Sequence, residues 1–181
     1  MGQIRITGGT HRSRRVTVED QKGLRPTADR TREVLFNWLG QNLSGMEVLD
    51  LYSGSGILAF EAASRSAKWL TCIDNNSKTT NQLRQNLAQL KFQNFTVDQQ
   101  AASSFVRQCK RTFDLIFLDP PFDSNELNTI SAIIAPLVSS SGLVYREYAI
   151  SQEIEPFDVN LWTMLKQKDA GQVRFELWQK I

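Results

Sequence analysis

The sequence predicts an α/β fold: a doubly wound, mostly parallel sheet of seven strands that ends in an antiparallel hairpin. Three observations carry this expectation. From Glu47 onward, short continuous apolar runs alternate with stretches of helical period, as in parallel strands covered on both faces. The first run, residues 48–52, enters a glycine turn, Gly54-Ser55-Gly56, that opens the next helical stretch. The last two strand patterns follow each other with no helical stretch between them, so they pair antiparallel.

Taken in order, residues 1–32 read as a basic arm. They carry eight Lys/Arg (Arg5, Arg12, Arg14, Arg15, Lys22, Arg25, Arg30, Arg32) against Glu19, Asp20 and Asp29, a balance of +5, while the rest of the chain stands at −3. Arginine outnumbers lysine seven to one there, which favours forked contacts to phosphate over mere solubility. A helix follows, with Val34, Leu35, Trp38, Leu39 and Asn42 on one face and Thr27 or Asp29 as caps. Arg30 and Arg32 in its first turn oppose the helix dipole, so they are expected to answer to an external anion. Strands are predicted at residues 48–52, 69–74, 95–97, 113–118, 143–148, 162–165 and 173–178, and helices at 56–65, 77–90, 101–110 and 125–134. The Ser139-Ser140-Ser141-Gly142 cluster reads as a turn.

At 181 residues this is one domain, residues 1–181, with the arm packed on it or extending from it. A 41% hydrophobic and 22% charged composition excludes a disordered chain. No apolar run approaches the ~20 residues of a membrane helix, and the N-terminus shows no signal segment. Cys72 and Cys109 lack metal or redox spacing and read as reduced, in a cytoplasmic protein. A single histidine, His11, excludes a catalytic triad or a histidine-based zinc site, so no metal and no membrane partner is expected.

The glycine turn Gly54-Ser55-Gly56-Ile57-Leu58-Ala59, with Ser53 before it, lets a ligand approach the backbone closely. Twenty residues beyond Gly54, Asp74 ends the second strand, where a carboxylate can accept bonds from ribose hydroxyls. The same pattern serves dinucleotides, but Asp50 sits just before the glycines, where a pyrophosphate would gain nothing from it. Nor does the chain have room for a second, substrate-binding domain. S-adenosyl-L-methionine, with S-adenosyl-L-homocysteine as product, fits better: a ribose for Asp74, a cationic amino-acid end for Asp50, and no phosphate.

The second feature is Asp119-Pro120-Pro121-Phe122, at the end of the strand Leu115-Ile116-Phe117-Leu118. An exocyclic amine on a base is a poor nucleophile, because its lone pair is delocalised into the ring. Asp119 and the Pro120 carbonyl can hold the amine hydrogens, the two prolines fix that geometry in advance, and Phe122 can stack on the ring. Such stacking is worth about 1–3 kcal/mol per base. Positioning then carries most of the catalysis, without a strong general base.

These motifs resemble those of the bacterial RsmD-type enzymes. The likeness runs from Gln3-Ile4-Arg5-Ile6-Thr7-Gly8-Gly9, through Leu24-Arg25-Pro26-Thr27-Ala28-Asp29-Arg30-Thr31-Arg32-Glu33, the glycine turn and Asp119-Pro120-Pro121-Phe122, to Ala170-Gly171-Gln172-Val173. The resemblance implies a class I methyltransferase (Rossmann-like) fold. It implies S-adenosylmethionine as donor and the exocyclic N2 of a guanine in 16S rRNA as acceptor. The partner is an assembled or partly assembled small ribosomal subunit, met by a monomer through Arg12, Arg14, Arg15, Arg25, Arg30 and Arg32. Four departures stand out: Tyr52-Ser53 where the family has Phe-Ala, and Asp74 where it has Glu. His11-Arg12-Ser13-Arg14 replaces a Trp-containing segment, and Ala101-Ala102 replaces the acidic or amide residue that reaches the adenine. Backbone amides at Ala101 and Ala102 are expected to read the adenine edge instead. Three rivals remain at this level. An adenine-N6 or protein-glutamine methyltransferase would usually carry Asn at Asp119. A non-catalytic RNA-binding assembly module would not need the Asp-Pro-Pro-Phe turn. An NAD-dependent oxidoreductase would need a hydride-acceptor pocket.

Overall fold

Strand β3 (Glu47–Asp50) is the axis of the sheet. It pairs in parallel with β4 (Trp69–Asp74) on one side and with β6 (Phe113–Leu118) on the other. The chain first winds outward through β4 to β5 (Phe95–Gln99), then returns across β3 to β6 and β7 (Val138–Ala149). Finally β9 (Val173–Lys180) inserts antiparallel between β7 and the edge strand β8 (Trp162–Ala170), completing the order β5-β4-β3-β6-β7-β9-β8. This is the seven-stranded sheet with a terminal hairpin that the sequence predicts. The computed structural model describes residues 2–18, 26–122 and 124–181, and the side chains of all of these except 26–28.

Neighbouring residues on each strand feed opposite cores, which is why the strand sequences are apolar without interruption. Val48, Leu115, Phe117, Tyr145 and Phe175 enter one core, under α1 (Pro26–Leu39), α2 (Ile57–Ser64) and α3 (Ser77–Gln89). Leu49, Ile116, Leu118, Val144 and Trp178 enter the other, under α4 (Ala102–Gln108) and α5 (Glu126–Ser131). Asn76 starts α3 by accepting the Lys78 and Thr79 amides on its side-chain oxygen, at 2.9 and 3.3 Å. Arg146 of β7 and Glu176 of β9 form a buried ion pair at 2.6 Å, with Tyr148 and Trp178 donating to the same carboxylate.

Two sequence expectations change. Ser139-Ser140-Ser141-Gly142 is not a turn between elements but part of β7, where the register against β6 shifts and Ser141 takes φ 60°. Ser139 is held there by donating to Asp114 at 2.8 Å. The first part of the basic arm is an antiparallel hairpin, β1 (Gly2–Arg5) with β2 (Arg15–Val18), whose Ile4, Ile6, Val16 and Val18 join the first core. Gly9 lets the hairpin lie against the end of α2. Its φ is +74°, and a Cβ there would come 1.9 Å from the Ser64 carbonyl oxygen.

Candidate active site

The connections from β3 and β6 leave in opposite directions, so a crevice opens beyond their carboxyl ends. A cleft of about 880 Å³ fills it. Asp50, Ser53, Gly54 and Ser55 line it from the β3 end, Asp74 from β4, Ala101 and Ala102 from the start of α4, and Asp119, Pro120, Pro121 and Phe122 from β6. The two motifs read separately in the sequence thus share one cavity. Gly56 does not line the cleft. Its φ is +78°, and a Cβ would meet Leu83 Cδ2 at 2.1 Å and Phe60 at 2.9 Å, so this glycine serves the packing of α2 on α3.

Asp74 holds the glycine turn itself, accepting the Gly54 amide at 2.9 Å and the Asn76 amide at 2.8 Å. Asp50 is buried, and its Oδ2 has no partner. Burial, and then the charge of Asp74, push its carboxyl up to about 7, against the pull of the Ala59 and Tyr52 amides. An unpartnered buried carboxylate beside a cavity is a seat for a cation. A cationic ligand that needs Asp50 ionised should therefore bind about tenfold more weakly at pH 6 than at pH 8. Calorimetric titration with S-adenosylmethionine checks this; an Asp50→Asn variant should bind weakly with no such slope, and a flat wild-type profile would move the cation elsewhere.

Asp119 is pushed well above the usual carboxylate range by burial, then by the charges of Glu147 and Asp50. Among the described residues no donor takes the Pro120 carbonyl, which leaves it open to a ligand. Phe122 is 40% exposed, unlike the aromatic rings of the core, and so offers a free face at the mouth of the cleft. Gln152 fixes this segment from outside, donating to the Phe122 carbonyl at 2.6 Å while its Oε1 accepts the Ala149 amide at 3.0 Å. Sequence reasoning missed Gln152, and also Asn75, Thr79, Gln100, Ser103 and Glu126 on the cleft wall, since none stands in a motif. Gln100 is an amide one residue before the Ala101-Ala102 pair, so the departure at those alanines does not strip the wall of a polar side chain.

The arginines divide. Arg12, Arg14, Arg15 and Arg30 are exposed, and Arg30 lines a second hollow of about 510 Å³ with Lys168. Arg25 lies outside the described residues. Arg32 is not available to an external anion: it is 4% exposed and donates to Glu61 at 3.0 Å and to the Arg5 carbonyl at 2.9 Å. It also pairs with Asp29, three residues back on α1, at 3.1 Å, whereas Glu61, its fully buried acid, lies 29 residues away in the chain.

Comparison with known proteins agrees with this arrangement. A family described as "Conserved hypothetical protein 95" matches residues 4–179. The ribosomal RNA small subunit methyltransferase D of Escherichia coli (strain K12) is 38% identical, over 99% of this chain and 91% of its own length. The chain belongs to the RsmD-type methyltransferase family. The family's Haemophilus influenzae member of the same name is 37% identical, over 98% of this chain and 94% of its own. The solved structure of the Escherichia coli protein yhhF matches with a TM-score of 0.90 at 35% identity, covering 99% of this chain and 98% of that one. The residues present fit the S-adenosylmethionine of class I methyltransferases: an open carboxylate oxygen on Asp50, a turn-borne carboxylate on Asp74, and the first amides of α4, which no carbonyl within the helix accepts. Among the described residues no helix is long and apolar enough to cross a membrane, and no group of three or more His, Cys, Asp or Glu is placed to hold a metal.

Proposed function

We propose that this protein methylates the exocyclic N2 of a guanine in 16S ribosomal RNA, within an assembled or partly assembled small subunit, acting as a cytoplasmic monomer. The observation that carries the proposal is the shared cleft: an amine-orienting turn, Asp119-Pro120, opens into the cavity whose other wall is built for the donor. S-adenosylmethionine, when bound, supplies a methyl group made electrophilic by its sulfonium. Asp50 would hold the ammonium end, Asp74 the ribose hydroxyls, and Gln100 with the amides of Ala101 and Ala102 the adenine. Asp119 and the Pro120 carbonyl accept the two amine hydrogens, which turns the nitrogen lone pair away from both acceptors. Phe122 stacks on the base. N2 of a paired guanine cannot reach such a turn, so the target stands in an open loop or is flipped out.

The test is methyl transfer from labelled S-adenosylmethionine to naked small-subunit RNA, to subunits lacking the modification, and to adenine-rich DNA, with the product nucleoside identified by mass. N2-methylguanosine from subunits supports the reading. Methyladenine, or no product with the donor bound, sinks it.

Arg12, Arg14 and Arg15 cluster on the exposed rim of the hairpin, where phosphate contacts would be made. Reversing the charge of Arg14 and Arg15 should weaken subunit binding and flatten its salt dependence by about two units of slope. Filter binding across a salt series measures this. An unchanged slope reduces the rim to a solvated surface.

A further inference from the structure

Three carboxylates stand in a row across the carboxyl ends of three adjacent parallel strands. Asp50 of β3 pairs in register with Phe117, two residues before Asp119, and Phe117 pairs with Tyr145, two residues before Glu147. Side chains alternate along a strand, so Asp119 and Glu147 share the face of Phe117 and Tyr145, at one level of the sheet. Glu147 makes no ion pair with any described residue. Instead the Tyr145 hydroxyl donates to its Oε2. Tyr145 is itself locked, 1% exposed, with its ring centroid 6.2 Å from Phe117 and 6.3 Å from Phe175. One oxygen of Glu147 is thus tied down and the other is left over.

Burial raises both Asp119 and Glu147, and Glu147 adds to the rise at Asp119. Two neighbouring acids with no cation between them cost stability, and such pairs persist where a ligand uses them. The row also divides the cleft. The donor's residues lie on β3, β4 and the start of α4, whereas Asp119 lines the cleft from the other side of the switch point, at the end of β6, with Glu147 of β7 next to it behind the cleft wall. Glu147 therefore stands on the acceptor's side, beside Asp119. Guanine presents two adjacent donors there, the N1–H and the N2 amine. Adenine presents its amine beside an unprotonated N1, whose lone pair would face a carboxylate.

We propose that Glu147, positioned by Tyr145, accepts the N1–H of the target guanine while Asp119 and Pro120 hold its N2 amine, so that Glu147 selects guanine. This inference rests on the acceptor being a guanine N2.

The test uses reconstituted small subunits carrying either guanine or 2,6-diaminopurine at the modified position. Both bases have the N2 amine, but only guanine has the N1–H. The wild-type protein should prefer guanine about a hundredfold in kcat/KM. Glu147→Gln can donate to an unprotonated N1, so its preference should narrow to about tenfold or less, with S-adenosylmethionine affinity and Tm held. Tyr145→Phe, which frees the carboxylate without removing it, should narrow the preference several-fold and stands in if the first variant misfolds. A Glu147→Gln enzyme with the wild-type preference overturns the assignment of Glu147 and leaves the proposed reaction intact. A wild-type enzyme that makes no N2-methylguanosine overturns both.

Discussion

Replacing Asp119 with alanine is expected to cut methyl transfer by about a thousandfold or more, while S-adenosylmethionine binds within a few-fold of wild type. The amine would keep the Pro120 carbonyl but lose its second acceptor, and its lone pair would no longer be aimed. Asp119→Asn retains an acceptor oxygen and should fall between the two. The same change should not destabilise the protein. A carboxyl raised above its unfolded value makes the folded state bind more protons than the unfolded chain, so stability falls as pH rises from about 4 toward the raised value. Alanine removes that loss. Above pH 5 the Tm of Asp119→Ala should equal or exceed that of wild type. Single-turnover transfer and a thermal melt decide the matter, and lost donor binding or a lower Tm would mean that Asp119 serves the fold.

The second large effect is structural. Glu61, fully buried on α2, accepts the Thr7 amide at 2.7 Å, the Thr7 hydroxyl at 2.8 Å, Arg32 Nε at 3.0 Å and the Arg65 guanidinium. Glu61→Ala leaves Arg32 and Arg65 buried without their common acid. Breaking one side of such a cluster costs about 3–5 kcal/mol, which in a chain of this size is a Tm loss of about 6–20 °C. Calorimetry of the variant measures it. A loss below about 1 kcal/mol would show that the arginines find water or new partners instead.

How far the sequence could be read depended on whether the relevant neighbours lay nearby in the chain. The strands at Val48, Leu70 and Leu115 were legible because a strand buried on both faces writes an unbroken apolar run. Asp50 and Asp119 were legible because the glycine turn and the two prolines flank them, and Asp74 because it ends a strand at a set spacing from that turn. The β1–β2 hairpin was visible in the alternation of Ile4 with Ile6 and of Val16 with Val18, but the arginines between drew attention to charge. Arg32 was misread because the helix begins earlier than expected, at Pro26, which places Arg32 in the second turn, one turn after Asp29, and because its buried partner Glu61 is a tertiary one. Ser139 to Gly142 mislead for a related reason: small polar residues usually end a strand, and here Asp114 on the neighbouring strand satisfies Ser139. Glu147 and Gln152 stand in no motif, and only strand register and a folded-back loop bring them to Asp119 and Phe122.

Helix α2 has a further consequence. Its first turn, Ile57 and Leu58, forms cleft wall, and its last turn, Glu61, Ser64 and Arg65, receives the N-terminal hairpin. Two turns of helix, about 12 Å, separate the ends. If RNA seated on the hairpin alters the grip on the methyl donor, the donor must alter the grip on RNA by the same factor, since linkage between two sites is reciprocal. Any coupling between the two substrates would then run through one helix, rather than through a hinge between domains.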